Sequence, residues 1–348
     1  MMVNNSGIKK VMEIMIMPLA AKALYVAAEI GIADKITPSG TDISSLAKQC
    51  DCNEKNLFDL IKVLTIFGFF KIESNGAIMN TEMSQLLLSD QEQSMRNYCR
   101  LFGNEYYRGF DGLMHTCMTG ESGFLHVFGE NLYSYLSKSN QRSEVYDLAM
   151  RDLSRPVGAL LAKEYEGLFN TVNKVIDIGG GSGIILTEII KRNSHVIGCL
   201  FDREDVCTRS ENSWKSLPAD VKSRLKVTAG SFFDDIPAGY DVYLIKNILH
   251  NWNDESCLSI LKEVKRAISE SENKSTVLVI EPLLDENELS PKLLFNALFQ
   301  SVICQDGTRH RTLEKINELA AMSGLHMAGF RKIATNHTVV ELVLPNHQ

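Results

Sequence analysis

Proline is scarce in this chain, with 8 in 348 residues, and neither an internal repeat nor a low-complexity tract interrupts it. That excludes a collagenous or proline-rich extended protein and fits an ordinary globular one. An excess of basic charge is also missing. Lys and Arg number 36 against 43 Asp and Glu, a formal net charge of −7. This argues against a generally basic nucleic-acid-binding surface. No stretch approaches the ~18 uncharged apolar residues of a membrane span. The most lipid-like region, residues 11–33, is broken by Glu13, Pro18, Lys22 and Glu29, and lacks a signal-peptide pattern. The expectation is a cytoplasmic protein with no membrane partner. Paired cysteines are lacking too. The eight lie at 50, 52, 99, 117, 199, 207, 257 and 304. Only Cys50 and Cys52 are close, and C-x-C without a distal pair is a weak zinc signal. Reduced thiols and no metal site are expected.

What the sequence does have is length and apolar content, 45% hydrophobic residues, enough for about two domains with a real core. Residues 1–92 read as helices followed by one extended pair. Ala20–Ala33 is apolar at helical spacing. Thr41-Asp42 caps a helix through Lys48, and Asn53 caps another through about Phe67. Phe69–Ile72 and Ala77–Met79 flank the turn residues Ser74-Asn75-Gly76, a hairpin signal. That order is the order of a winged helix. Residues 93–170 are helical and aromatic-rich. From 171 onward strands alternate with helices, at Val175–Ile178, Val196–Phe201, Leu225–Thr228, Val242–Lys246 and Thr276–Ile280. Near-continuous apolar strands between helices indicate a buried parallel sheet. Two closing runs, His326–Ile333 and Thr338–Leu344, must add at least one antiparallel strand. The predicted fold class is α/β: a Rossmann-like, mostly parallel sheet behind a mainly helical N-terminal domain.

The strongest local motif is Val175-Ile176-Asp177-Ile178-Gly179-Gly180-Gly181-Ser182-Gly183, at a strand end and opening a helix near Ile184. Glycines let backbone turn sharply and approach a ligand. Asp202 ends the next strand, where a carboxylate can accept from a ribose diol. The dinucleotide form is G-x-G-x-x-G, spaced for a pyrophosphate. Here the loop begins with an acid, Asp177, and repeats glycine at 179, 181 and 183. An acid there suits a cationic ligand better than a phosphate. S-adenosylmethionine carries a sulfonium, an ammonium and a ribose, so charge favours it over NAD.

The sequence resembles the class I S-adenosylmethionine-dependent O-methyltransferases of the plant caffeate/flavonoid type and their bacterial small-molecule relatives. The resemblance covers nearly the whole chain, including Val26–Ile32, Leu57–Phe70, Thr119-Gly120 and Ala149-Met150. Its most specific part is Leu249-His250-Asn251-Trp252-Asn253-Asp254-Glu255, close to the family's Leu-His-Asp-Trp-x-Asp-Glu. The resemblance implies a winged-helix dimerisation domain over 1–92 and a helical linker lining the acceptor pocket over 93–170. It implies an S-adenosylmethionine-binding catalytic domain over 171–348. It further implies His250 as general base, Glu281 as its orienting carboxylate, and Gly179, Asp202, Ser231, Phe232, Lys246 and Trp252 around the cofactor. Chemistry supports the base independently. A phenol is a poor nucleophile until deprotonated, and imidazole can take that proton near neutral pH. A carboxylate on the other ring nitrogen would fix its tautomer.

Three departures stand out. Asn251 replaces the family's acid, Ser231 stands where an Asp is common, and Gly307-Thr308-Arg309-His310-Arg311-Thr312 resembles Gly-Gly-Lys-Glu-Arg-Thr with His310 in place of Glu. His310 is therefore a candidate for the catalytic site. The leading expectation is an O-methyltransferase acting on a hydroxyl of a small aromatic or polyketide-like acceptor, as a homodimer. Two alternatives stay open: a non-methylating enzyme of the same fold, and a winged-helix DNA-binding regulator. Charge opposes the second, since residues 51–90 hold three Lys, no Arg and six acids.

Overall fold

The protein is described here by a computed structural model covering residues 5–91, 93–271, 274–284, 291–304 and 310–345. The chain divides into two compact units, residues 1–108 and 109–348.

In the first unit, helix α1 spans Asn5–Glu29, α2 Ile43–Cys50 and α3 Glu54–Ile66. Strands β1 (Phe70–Ile72) and β2 (Ile78–Asn80) pair antiparallel. The expected caps are in place. Asp42 accepts from the Ser45 amide at 2.9 Å and Asn53 from the Asn56 amide at 3.1 Å, each satisfying an end group the helix leaves open. The core gathers Ala27, Ile32, Leu46, Ile61, Leu64 and Ile78. Helix α4 (Arg96–Leu101) joins this unit through ion pairs, Arg96 to Asp34 at 2.5 Å and Arg100 to Glu29 at 2.9 Å. The compact unit runs to residue 108.

Helix α1 begins well before the expected Ala20. Within Ser6–Glu29 an 18-residue window reaches a mean hydropathy of 1.6, so by length and composition the helix is long and apolar enough to cross a membrane. Glu13, Pro18 and Lys22 interrupt it, as the sequence indicated. Its first half is not core: Met12, Met15, Ile16 and Leu19 are 60–71% exposed in this chain.

The second unit is built on a seven-stranded sheet ordered β5-β4-β3-β6-β7-β9-β8. The strands are β3 (Lys174–Ile178), β4 (Ile197–Asp202), β5 (Leu225–Ala229), β6 (Val242–Lys246), β7 (Thr276–Glu281), β8 (His326–Lys332) and β9 (Thr338–Val343). The first five run parallel, and β9 pairs antiparallel with both β7 and β8, as the closing pair required. Helices α5 (Asn140–Glu164), α6 (Ile184–Arg192), α7 (Glu204–Ser213), α8 (Asp254–Ser269), α9 (Pro291–Ile303) and α10 (Leu313–Ser323) belong to the same unit. Two apolar clusters explain why β3 and β6 read as continuous hydrophobic runs. Ile176, Ile178, Tyr243 and Ile245 pack against α8 residues such as Ile260 and Val264. Val175, Val242 and Leu244 pack with α5 and α6 residues such as Leu161 and Ile189. Both faces of these strands are therefore covered. Strand order reverses between β3 and β6, and in such sheets ligands bind beyond the carboxyl ends of the strands at that point.

Candidate active site

The carboxyl end of β3 leads into the glycine loop. Gly179, Gly181 and Gly183 take φ values of 65°, 59° and 69°, the left-handed region that L side chains rarely adopt. A Cβ at Gly179 would come within 2.6 Å of Ile248, and one at Gly180 would run into the Asp177 carboxylate. At Gly181 an added Cβ would meet nothing within 4 Å, so the loop crest opens on free space. The loop is fastened from behind. Ser210 donates to the Gly181 carbonyl at 2.7 Å, and the Trp214 indole N–H donates to the Ser182 carbonyl at 3.0 Å.

Asp177 lies under this loop, 1% exposed, and neither carboxylate oxygen has a hydrogen-bond partner among the described residues. Burial raises its pKa to about 7; nearby Asp202 adds to the rise and Lys246 opposes it. Asp202, at the end of β4, accepts from the Gly181 amide at 3.0 Å and the Arg203 amide at 2.8 Å. Lys246, at the end of β6, donates to the Ser154 hydroxyl at 2.8 Å. Burial lowers its pKa to about 8 against the pull of Glu281 and Asp177. Ser231 is exposed, and its hydroxyl accepts from the Phe233 amide at 3.2 Å. Phe232, half-buried near Gly179, lies 5.9 Å from Trp252 in an edge-on ring contact. The predicted cofactor residues thus lie at neighbouring strand ends. A buried carboxylate without a partner, an open glycine crest and a strand-end acid fit a ligand with an ammonium and a ribose. Among the described residues no group of three or more His, Cys, Asp or Glu is set to hold a metal ion.

The second half of the site lies after β6. A 3-10 turn, Leu249–Asn251, carries His250. Its Nδ1 lies 2.5 Å from Oε2 of Glu281, and Oε1 of Glu281 accepts from the Leu249 amide at 2.9 Å. Glu281 is 2% exposed at the end of β7. Burial alone would raise its pKa, but the charge and hydrogen bond of His250, with His310 behind, hold it below the usual carboxylate value. Nδ1–H donates to the carboxylate, so Nε2 is the nitrogen left with a lone pair. His310 is 5% exposed, its ring centroid 5.5 Å from that of His250 at an interplanar angle of 50°. Gly307, Thr308 and Arg309 of its motif lie outside the described residues.

Two residues here were not singled out by the sequence. Arg311, 3% exposed, donates to the carbonyls of Leu249 and Trp252, both at 2.7 Å, and to Asp254 at 2.8 and 2.9 Å. His337 meets the Asn247 amide oxygen at 3.2 Å, under the same turn. Asn251 is turned to the backbone, donating to the Asn247 carbonyl at 3.0 Å.

Comparison with known proteins places the chain in a family. The chain is 28% identical over 320 residues to a phenazine O-methyltransferase, PhzM, of Lysobacter antibioticus, covering 92% of this chain and 91% of that one. It is 30% identical to the 3-amino-4-hydroxybenzoate 4-O-methyltransferase of Streptomyces cremeus, covering 79% and 74%. The solved structure of LaPhzM superposes with a TM-score of 0.90 at 28% identity, covering 98% and 100%. Solved structures sharing the fold at lower identity include complexes with S-adenosylmethionine. The model of the O-methyltransferase domain matches residues 110–330, well over half of the chain, and the protein belongs to that family.

Proposed function

We propose that the protein transfers a methyl group from S-adenosylmethionine to a hydroxyl of a small aromatic or polyketide-like metabolite, with His250 as general base. The observation that carries this reading is the His250–Glu281 pair, 2.5 Å apart beside the glycine loop. S-adenosylmethionine supplies, when bound, a methyl group on a positively charged sulfur. The chain's own residues hold and activate. Asp177 offers a buried carboxylate to the ligand's ammonium, and Asp202 accepts from ribose hydroxyls. Gly179, Gly181 and Gly183 give close backbone approach, while Ser231, Phe232, Lys246 and Trp252 complete the surround. His250 takes the hydroxyl proton at Nε2 while Nδ1–H stays bound to Glu281, which stabilises the imidazolium. Removing that proton and aligning the oxygen make up most of the catalytic demand.

The N-terminal unit, with its three helices followed by a hairpin, serves as a winged-helix-like dimerisation module rather than a DNA reader. The exposed apolar half of α1 supports a homodimer. Helices between 109 and 170 line the acceptor pocket, and the enzyme works in the cytoplasm, in secondary metabolism. Incubation with S-adenosylmethionine and a panel of aryl hydroxyl compounds tests the reading. The expected products are acceptors heavier by one methyl and an equal amount of S-adenosylhomocysteine. Acceptor consumption without S-adenosylhomocysteine would instead favour non-methylating chemistry.

A further inference from the structure

The chain leaves β6 through a bend centred on one residue. Asn247, the first residue after the strand, has a φ of 55°, in the left-handed region that a residue with a side chain seldom takes. Asparagine is among the few that tolerate it. The bend directs the chain out of the sheet and into the 3-10 turn that carries His250.

Three hydrogen bonds meet at Asn247, each from a different segment of the second unit. Its backbone amide donates to the carbonyl of Ile280, one residue before Glu281, at 3.0 Å. Its carbonyl accepts from the side-chain amide of Asn251, one residue after His250, at 3.0 Å. Its side-chain oxygen lies 3.2 Å from Nε2 of His337. An amide oxygen only accepts, so Nε2–H of His337 donates to it. Nδ1 of the same ring lies 3.1 Å from the Thr335 hydroxyl, which donates to it. His337 ends the hairpin between β8 and β9, next to Thr338, and Thr338 stands opposite Glu281 in the β7–β9 register. Asn247 thus links the turn of His250 to the strand end of Glu281 both through backbone and through the hairpin. The bond from Asn251 gives that departure from the family pattern a use, because a carboxylate has no N–H to offer a carbonyl.

We infer that Asn247 and His337 are a positioning pair: the bond between their side chains holds the left-handed bend after β6 and so sets Nδ1 of His250 against Glu281. The two residues act on the reaction through His250. The effect on rate rests on the O-methyltransferase reading; the placement of His250 is measured without it.

The test is a double-mutant cycle on the full-length enzyme. Asn247→Gly keeps the left-handed backbone and removes the side chain. His337→Leu removes the N–H. The third protein carries both changes. Single-turnover methyl transfer with S-adenosylmethionine prebound uses any aryl hydroxyl that the wild type methylates. Each single variant should be slower by about 10–100-fold, the scale of loss from a small misplacement of a reacting group. The double variant should match the slower single within about threefold, because both changes remove the same contact. His337→Gln keeps an N–H and should recover most of the rate. Stoichiometric binding of S-adenosylhomocysteine counts the folded molecules in every sample. The second readout is the proton on His250 Nδ1, held by Glu281 at 2.5 Å and therefore far downfield in the NMR spectrum. It is assigned by ¹⁵N-histidine labelling and by its absence from His250→Gln. With S-adenosylhomocysteine bound, it should move upfield or broaden in both single variants and keep its place in His337→Gln. A purely stabilising role would leave this resonance and the rate per folded molecule unchanged. A wild-type rate in either single variant, a double variant whose loss is the product of the two, or an unmoved resonance would overturn the pair. If no aryl hydroxyl is methylated, the O-methyltransferase reading fails instead, and the resonance alone decides whether Asn247 and His337 place His250.

Discussion

The guanidinium of Arg311 donates to the carbonyl of Leu249 at 2.7 Å, one residue before His250. It also holds Trp252, two residues after it, and is anchored by Asp254. His250 thus sits in a bracket closed from outside by a buried cation, while Glu281 closes it from within through the Leu249 amide.

Arg311→Lys removes the planar fork and leaves at least one carbonyl without its donor. The expected cost is about 2–4 kcal/mol of stability. Among molecules that stay folded, kcat should fall about tenfold or more while S-adenosylmethionine affinity changes little. Denaturant unfolding and calorimetry check the two halves separately.

On the proposed role of Asp177, cofactor binding should depend on pH. Its pKa is raised to about 7 before the ligand arrives. A cationic ligand prefers the ionised form, so affinity should rise with pH up to about 7 and fall below it by up to about tenfold per pH unit. Binding at pH 7 should release protons, seen by titration calorimetry in buffers of different ionisation enthalpy. Asp177→Asn should bind more weakly and lose that proton release.

His337 gives a stability signature. Burial, and then Lys246, lower its pKa to about 4. Between pH 4 and about 6.5 the unfolded chain binds more protons at this residue than the folded one. Its contribution is therefore complete above about 6.5 and is lost as pH falls towards 4. Relative to His337→Gln, wild type should lose roughly 2–3 kcal/mol across that window. A constant difference between the two proteins from pH 7 to 4 would contradict this.

Helix α1 supports a prediction about assembly. Met12 and Met15 are 67% and 71% exposed on its first half. Replacing both with Glu should convert a dimer to a monomer in sedimentation at micromolar concentration. A wild-type monomer with full activity would remove α1 from assembly.

How much of this was legible in the sequence follows from which forces act locally. The parallel strands were visible because both their faces are buried, and Val242–Lys246 appears with the ends its apolar run suggested. The glycine loop, Asp177 and Asp202 were visible because their spacing is fixed by one turn and one strand. The start of α1 was not: residues 6–19 are exposed almost all round, so no apolar stripe marks a buried face. Arg311 and His337 were hidden because they act on backbone and amide groups 59–90 positions away. His310 was visible as a departure from the family pattern. Its burial beside His250 depends on tertiary packing, which sequence does not carry.

The central claim is that His250, oriented by Glu281, takes the proton from the acceptor hydroxyl. It is tested most directly by single-turnover methyl transfer with S-adenosylmethionine prebound, comparing wild type with His250→Ala on any weakly acidic aryl hydroxyl the wild type methylates. The account predicts a rate lower by roughly 10²–10⁴-fold, with the cofactor dissociation constant unchanged within about threefold, and a smaller loss in Glu281→Gln. A His250→Ala rate close to wild type would contradict it.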